Sequence, residues 1–232
     1  MINVDQLCDT GLFTKEKGDM ITMDEMKNNE VIICGELASD FAYSHTVCEK
    51  NYYTADLIVS RFSKRQDIIP LVISERLVNI YEDYRGHRAK IIGQFQSHNL
   101  QMRNKTHLKL SVFVEDIHFE NELSEFVDSN DIILDGFVCK QPKFRITPLG
   151  REIVDVMLAV NRSYGNKSDY IPCIAWEREA RYISQFDVGT QIRVKGRIQS
   201  REYIKKLSQT ECEKRIAYEV SISRVERKRE SA

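Results

Sequence analysis

The chain repeats itself, and that repetition limits what it can fold into. Gly35 is matched 101 positions later by Gly136. At the same offset Tyr43 meets Phe144, and Leu57-Ile58-Val59-Ser60-Arg61 meets Leu158-Ala159-Val160-Asn161-Arg162. Two further blocks keep the order. Asp67-Ile68-Ile69-Pro70 matches Asp169-Tyr170-Ile171-Pro172, and Gly93-Gln94-Phe95-Gln96-Ser97 matches Gly196-Arg197-Ile198-Gln199-Ser200. A unit of about 100 residues is the size of a domain, well above the ~20–50-residue period of solenoids. The chain therefore has to be read as two copies of one small domain.

The hydrophobic period inside the first copy is that of strands. Glu30 to Gly35 is a continuous apolar run stopped by glycine, and Asn51 to Arg61 alternates Tyr53, Ala55, Leu57 and Val59 on one face. Asp67 to Ile73 predicts a third strand, with Pro70 where only an edge or bulge tolerates it. Ser74 then caps an expected helix from Glu75 to Tyr84, carrying Leu77, Ile80, Tyr81 and Tyr84 on one side and ended by Gly86. Ala89 to Phe95 and Leu108 to Ile117 complete five strands. Five strands with a helix between the third and fourth is the order of an OB-fold barrel. The expectation is an all-β chain of two tandem five-stranded Greek-key barrels, each with that short helix. The expected boundaries are a partly ordered leader over 1–29, a first barrel over 30–120, a linker over 121–130, a second barrel over 131–226 and a basic tip over 227–232. The linker is short and acidic, which keeps the barrels close without fixing their orientation.

Composition narrows the function. The chain has 232 residues, 42% of them hydrophobic and 30% charged, with no run approaching the ~20 apolar residues of a membrane span. The amino terminus lacks a basic-then-apolar signal pattern, so a cytoplasmic protein with no membrane partner is expected. None of the six cysteines, Cys8, Cys34, Cys48, Cys139, Cys173 and Cys212, forms a C-x-x-C pair, so no metal site is expected and reduced thiols are. The sequence has no phosphate-binding G-x-x-x-x-G-K-[ST] loop and no H-E-x-x-H. The histidines fall only in the first copy, without ligand spacing, and the carboxylates are scattered. The expectation is no enzyme activity and no cofactor. The net charge of −1 hides an asymmetry: residues 127–232 hold 20 Lys and Arg against 15 Asp and Glu, while residues 1–126 hold 14 against 20. The basic half is the candidate for a polyanion partner.

The second copy carries the specific wording: Asp131-Ile132-Ile133-Leu134-Asp135-Gly136, Phe144-Arg145-Ile146-Thr147-Pro148-Leu149-Gly150, the alternating run Ile153 to Asn161, Asp169 to Trp176, and Gly189 to Arg197 ending near Tyr203. In this order the motifs resemble a bacterial single-stranded-DNA-binding protein of the OB-fold family, over roughly the last hundred residues. The resemblance implies base stacking on aromatics at the positions held here by Tyr164, Tyr170, Trp176 and Tyr203. Packing in the core is the competing role, above all for Trp176 and Tyr170; Tyr164 and Tyr203 stand among polar and charged neighbours. It also implies phosphate contacts from the basic residues that interleave with the rings: Arg162, Lys167, Arg193, Lys195, Arg197, Arg201, Lys205 and Lys206. Strand alternation places Arg193, Lys195, Arg197 and Arg201 on one side, opposite Ile192, Val194 and Ile198. A merely solvated outer face is the alternative. Lys140, Lys143 and Arg145 add charge near the first loop.

The first copy departs from this pattern. Its matching positions hold Ser63 (beside Phe62), Ile68, Ser74 and Leu100, and Lys90 and Ile92 stand where the second copy has Arg193 and Lys195. The expectation is a barrel kept for assembly. The resemblance further implies a homodimer of four barrels acting on single-stranded DNA in replication, recombination or repair, in the bacterial cytoplasm at the nucleoid. Family members that recruit replication enzymes end in an acidic tail; this chain ends Arg227-Lys228-Arg229-Glu230-Ser231-Ala232, so recruitment by that route is not expected. Two other readings stay open at this point: a primosome-like assembly protein working through protein contacts, and an RNA-binding OB module.

Overall fold

The computed structural model describes residues 27–102, 105–121, 126–163, 167–206 and 212–228. The expected leader lies outside them as far as residue 26. The first copy forms β1 (Asn29–Leu37), β2 (Ala42–Val47), β3 (Lys50–Ser60), β4 (Gln66–Ser74), β5 (Arg88–Met102) and β6 (Lys105–Phe119). The second forms β7 (Ser129–Val138), β8 (Lys143–Ile146), β9 (Glu152–Asn161), β10 (Ser168–Trp176), α1 (Glu177–Ile183), β11 (Gln191–Lys206) and β12 (Cys212–Arg227).

Each copy closes as a barrel because alternate residues of its strands share one interior. Val31, Ile33, Leu57, Val59, Ile69, Leu71, Ile91, Phe95 and Val112 fill the first. Ile132, Leu134, Leu158, Val160, Ile171, Cys173, Val194 and Ile198 fill the second. Cys34 and Cys173 are buried free thiols, and burial pushes the Cys173 pKa up, as fits a cysteine used as a small hydrophobe. Gly35 does not end its strand. It sits inside β1 where the strand passes from β5 to β3, and a Cβ there would lie 2.2 Å from the Ile58 carbonyl oxygen. Gly136 holds the matching place, with 2.7 Å to the Ala159 oxygen. Only glycine lets the barrel shut this tightly.

Two further expectations need correcting. Each copy has a sixth strand, β2 or β8, in what reads as polar loop. Every residue of β2 and β8 is exposed, so no burial period announces them; ladder pairing with β3 and β9 holds them in place. The helix of the first copy is also absent. Residues 75–86 are turns. Asn79 accepts from the Tyr81 N–H and Asp83 from the Arg85 N–H, so side chains satisfy amides that a helix would use. The second copy has no Asn or Asp between Glu177 and Ile183, and there α1 forms with Ala180 and Ile183 buried.

The two copies share one twelve-stranded sheet, in the order β2-β3-β4-β6-β5-β1-β7-β11-β12-β10-β9-β8. The order reads the same from either end once the second copy is renumbered as the first. Its centre is the antiparallel β1–β7 ladder, in which Val31 faces Ile132, its own repeat partner. Side chains repeat the symmetry. Asn29 donates to the Phe95 carbonyl and accepts from the Phe95 amide; Asn130 does the same with Ile198. Asp67, fully buried, is held by Arg61 and accepts from the Ser200 amide at 2.7 Å across the boundary. Asp169, equally buried, is held by Arg162 and accepts from the Ser97 amide at 2.6 Å in the opposite direction. The orientation of the barrels is thus set by this ladder and these bonds, whatever the linker does.

Candidate nucleic-acid interface

The outward face of the second barrel carries a groove of about 1250 Å³. Its floor and walls come from β10 (Ile174, Trp176), β11 (Gly196, Arg197, Gln199, Arg201), β12 (Glu219, Ser221, Ser223) and the region of β8 and its turn (Arg145, Thr147, Arg151). The period of two puts them there. On β10, Cys173 and Ala175 point into the core, so Tyr170, Ile174 and Trp176 share the outer side. On β11, Val194 and Ile198 are core, so Arg193, Lys195, Arg197, Gln199, Arg201 and Tyr203 share the other side. The bulge between Lys195 and Gly196 leaves its extra residue, Ser223, on β12, so the alternation of β11 is unbroken.

Trp176 is half-buried, with the Arg151 guanidinium 4.5 Å from its ring centroid. It closes β10 beside Glu177, which holds a left-handed φ of 49°, an uncommon conformation for a residue with a side chain. Tyr170 is 50% exposed on the same side of the strand. Tyr203 is half-buried and within hydrogen-bonding contact of Arg215. Tyr164 lies outside the described residues. Three of the four expected rings therefore reach the surface, and one of them lines the groove.

The basic residues divide. Arg197 and Arg201 line the groove. Burial, and then the nearness of Arg61, lowers the Arg197 pKa; its guanidinium donates to the Gln199 side chain at 3.5 Å. Arg201 stands 4.0 Å from Glu219, and exposed Lys195 stands 3.7 Å from Asp131. Arg193 is half-buried and Lys167 is exposed, both away from the groove lining. Lys205 and Lys206 end β11, and their side chains lie outside the description. Arg162 is the correction. Its guanidinium is bonded to both oxygens of buried Asp169 and to the Ser97 carbonyl, so it locks the barrels together and is not held out toward a phosphate.

Sequence reasoning missed Arg151, Arg61 and Arg65, and gave Arg145 little weight. All four line the groove, which holds six arginines against three carboxylates, Asp131, Glu202 and Glu219. Arg61 and Arg65 come from the first copy. A signal existed: the run Arg61-Phe62-Ser63-Lys64-Arg65 occupies the repeat position of Arg162 to Lys167, where loop charge was already expected. Among the described residues no cluster of His, Cys, Asp and Glu is arranged to hold a metal, and no helix is long and apolar enough to cross a membrane.

Residues 129–227 match the model of the single-strand binding protein family. Over 80 residues the chain is 38% identical to single-stranded DNA-binding protein B of Bacillus subtilis, covering 32% of this chain and 71% of that protein. The chain belongs to the single-strand binding protein family. Single-stranded DNA-binding protein A of the same bacterium is also 38% identical over 80 residues, and there the chain spans about half of the relative, 46%. Relatives from Listeria are covered to 50%. The crystal structure of the wild-type single-stranded DNA binding protein from Thermus aquaticus superposes with a TM-score of 0.70 over 88% of this chain and 94% of that one, at 19% identity. That likeness is one of fold, and it runs through both barrels. The family model stops at the second copy, where the groove, Trp176 and the arginines lie.

Proposed function

We propose that the chain binds single-stranded DNA with little sequence preference, through the groove of its second barrel. One observation carries the reading: Trp176 lies in a trench where arginines outnumber carboxylates by six to three. An unpaired base has a flat apolar face, and stacking on an aromatic ring contributes ~1–3 kcal/mol whatever the base. The phosphates alongside require positive charge, which ties affinity to salt. Trp176, Tyr170, Tyr203 and, between β9 and β10 in the sequence, Tyr164 are the proposed stacking residues. Arg197 and Arg201, with Arg145 and Arg151, are the proposed phosphate contacts, and Lys167, Arg193, Lys195, Lys205 and Lys206 extend the positive field. The chain works by binding and catalyses nothing. Two chains pair to give four barrels, in the cytoplasm, on DNA exposed by replication, recombination or repair.

The test is a titration. Trp176 is the only tryptophan, so its fluorescence reports the groove directly. Oligo-dT should quench it, duplex DNA of equal length should not, and the midpoint should move to weaker binding as salt rises. Light scattering should give twice the mass of one chain. Silence at low salt, or a stronger response to the matching RNA, sinks the proposal.

A further inference from the structure

Resting on that reading, we infer that the turn between β3 and β4 of the first copy completes the groove of the second, with Phe62 as an added base-stacking ring and Arg65 as an added phosphate contact.

The turn is built for this. It closes on itself through the Arg65 carbonyl, which accepts from the Arg61 amide at 2.7 Å, and the Arg61 carbonyl, which accepts from the Lys64 amide at 2.9 Å. Lys64 takes a left-handed φ of 62° to make the bend. Both ends of the turn, Arg61 and Arg65, line the Trp176 groove. Phe62 follows Arg61 directly, so its Cα is about 3.8 Å from a groove-lining Cα.

The base of the turn is anchored. The Arg61 guanidinium bonds Asp67 at 2.5 and 2.6 Å, and Asp67 accepts from Ser200 of the second copy. With Arg61 so engaged, Lys64 and Arg65 supply the exposed charge. Phe62 is fully exposed, at 107%, and takes part in none of the ring contacts found among the described residues. A rigid base, flanking cations and an unsheltered aromatic face are what an unpaired nucleotide needs from a protein. A polynucleotide leaving Trp176 toward Ser200 meets this turn next.

Wild-type quenching by oligo-dT is measured first; its absence overturns the groove reading itself. Given wild-type binding, Phe62→Ala should bind oligo-dT about tenfold more weakly, as expected for one lost stack, and Phe62→Tyr should stay near wild type. Affinity within about twofold of wild type for Phe62→Ala, with an unchanged melting curve, overturns the inference. Should Phe62→Ala fail to fold, the double variant Phe62→Trp, Trp176→Phe decides alone. Its single tryptophan then reports the turn: quenching by oligo-dT supports the inference, and an unaltered signal overturns it.

Discussion

The two barrels are one scaffold with two surfaces. They share strand order, the glycines at barrel closure, the asparagines beside the central ladder and the buried aspartates that reach across it. On the outward face they part. Where the second barrel ends β10 with Trp176, the first ends β4 with Ser74, and the neighbouring strand places Tyr52 opposite it. Tyr52 packs on Phe113 at 5.6 Å and stacks with His45 at 5.1 Å. Its rings satisfy each other, while Trp176 faces an open groove. Interior positions answer to packing and cannot drift far, since a core side chain lost or enlarged costs kilocalories. Surface positions are free to diverge. The likeness of the two copies is therefore legible in the cores and the boundary, and their difference in the outer rings.

The largest expected effect tests the shared part. Asp169→Ala and Asp67→Ala each remove the carboxylate that a largely buried arginine is bonded to, and each should lower stability by about 3–5 kcal/mol, read by urea denaturation. If the boundary is as symmetric as its bonds, the two losses agree; a wide gap between them breaks the comparison. Next comes the unshared part. Trp176→Ala should weaken oligo-dT binding by ~1–3 kcal/mol, measured by competition or anisotropy because the reporter is lost. Tyr52→Ala should cost clearly less, since that ring is already occupied by its neighbours. Equal losses would mean that both faces grip DNA alike. A smaller change should follow Arg197→Ala, which removes one groove cation: the slope of log affinity against log salt should flatten by about 0.7. Arg162→Ala should leave that slope nearly unchanged while lowering stability, which separates a boundary arginine from a groove arginine.

What the sequence disclosed follows from where periodicity exists. The repeat, the all-β class and the buried strands β1, β3, β4, β5 and β6 were legible, because their alternation records a core. β2 and β8 were not, because wholly exposed strands carry no alternation. The missing helix turned on Asn79 and Asp83, whose side chains compete locally with the helical ladder. Of the residues that line the groove, Trp176, Arg197 and Arg201 were singled out in the sequence by motif and by strand parity. Arg162 looked identical in the sequence to a phosphate ligand; only its contact with Asp169, a partner seven positions on and deep under the sheet, reveals its work. Arg61 and Arg65 escaped because they come from the other copy. No pattern within one domain shows which loop of its twin will lean over it.

The central ladder carries one more consequence. A dimer of identical chains would present a directional polymer with two equivalent seatings, related by the dyad. Here the dyad passes between Val31 and Ile132 within a single polypeptide, and each half is encoded separately. Change in one half is not copied to the other. The backbone keeps its balance while the outer surface has a front and a back, so within one chain the two halves related by this dyad are no longer equivalent.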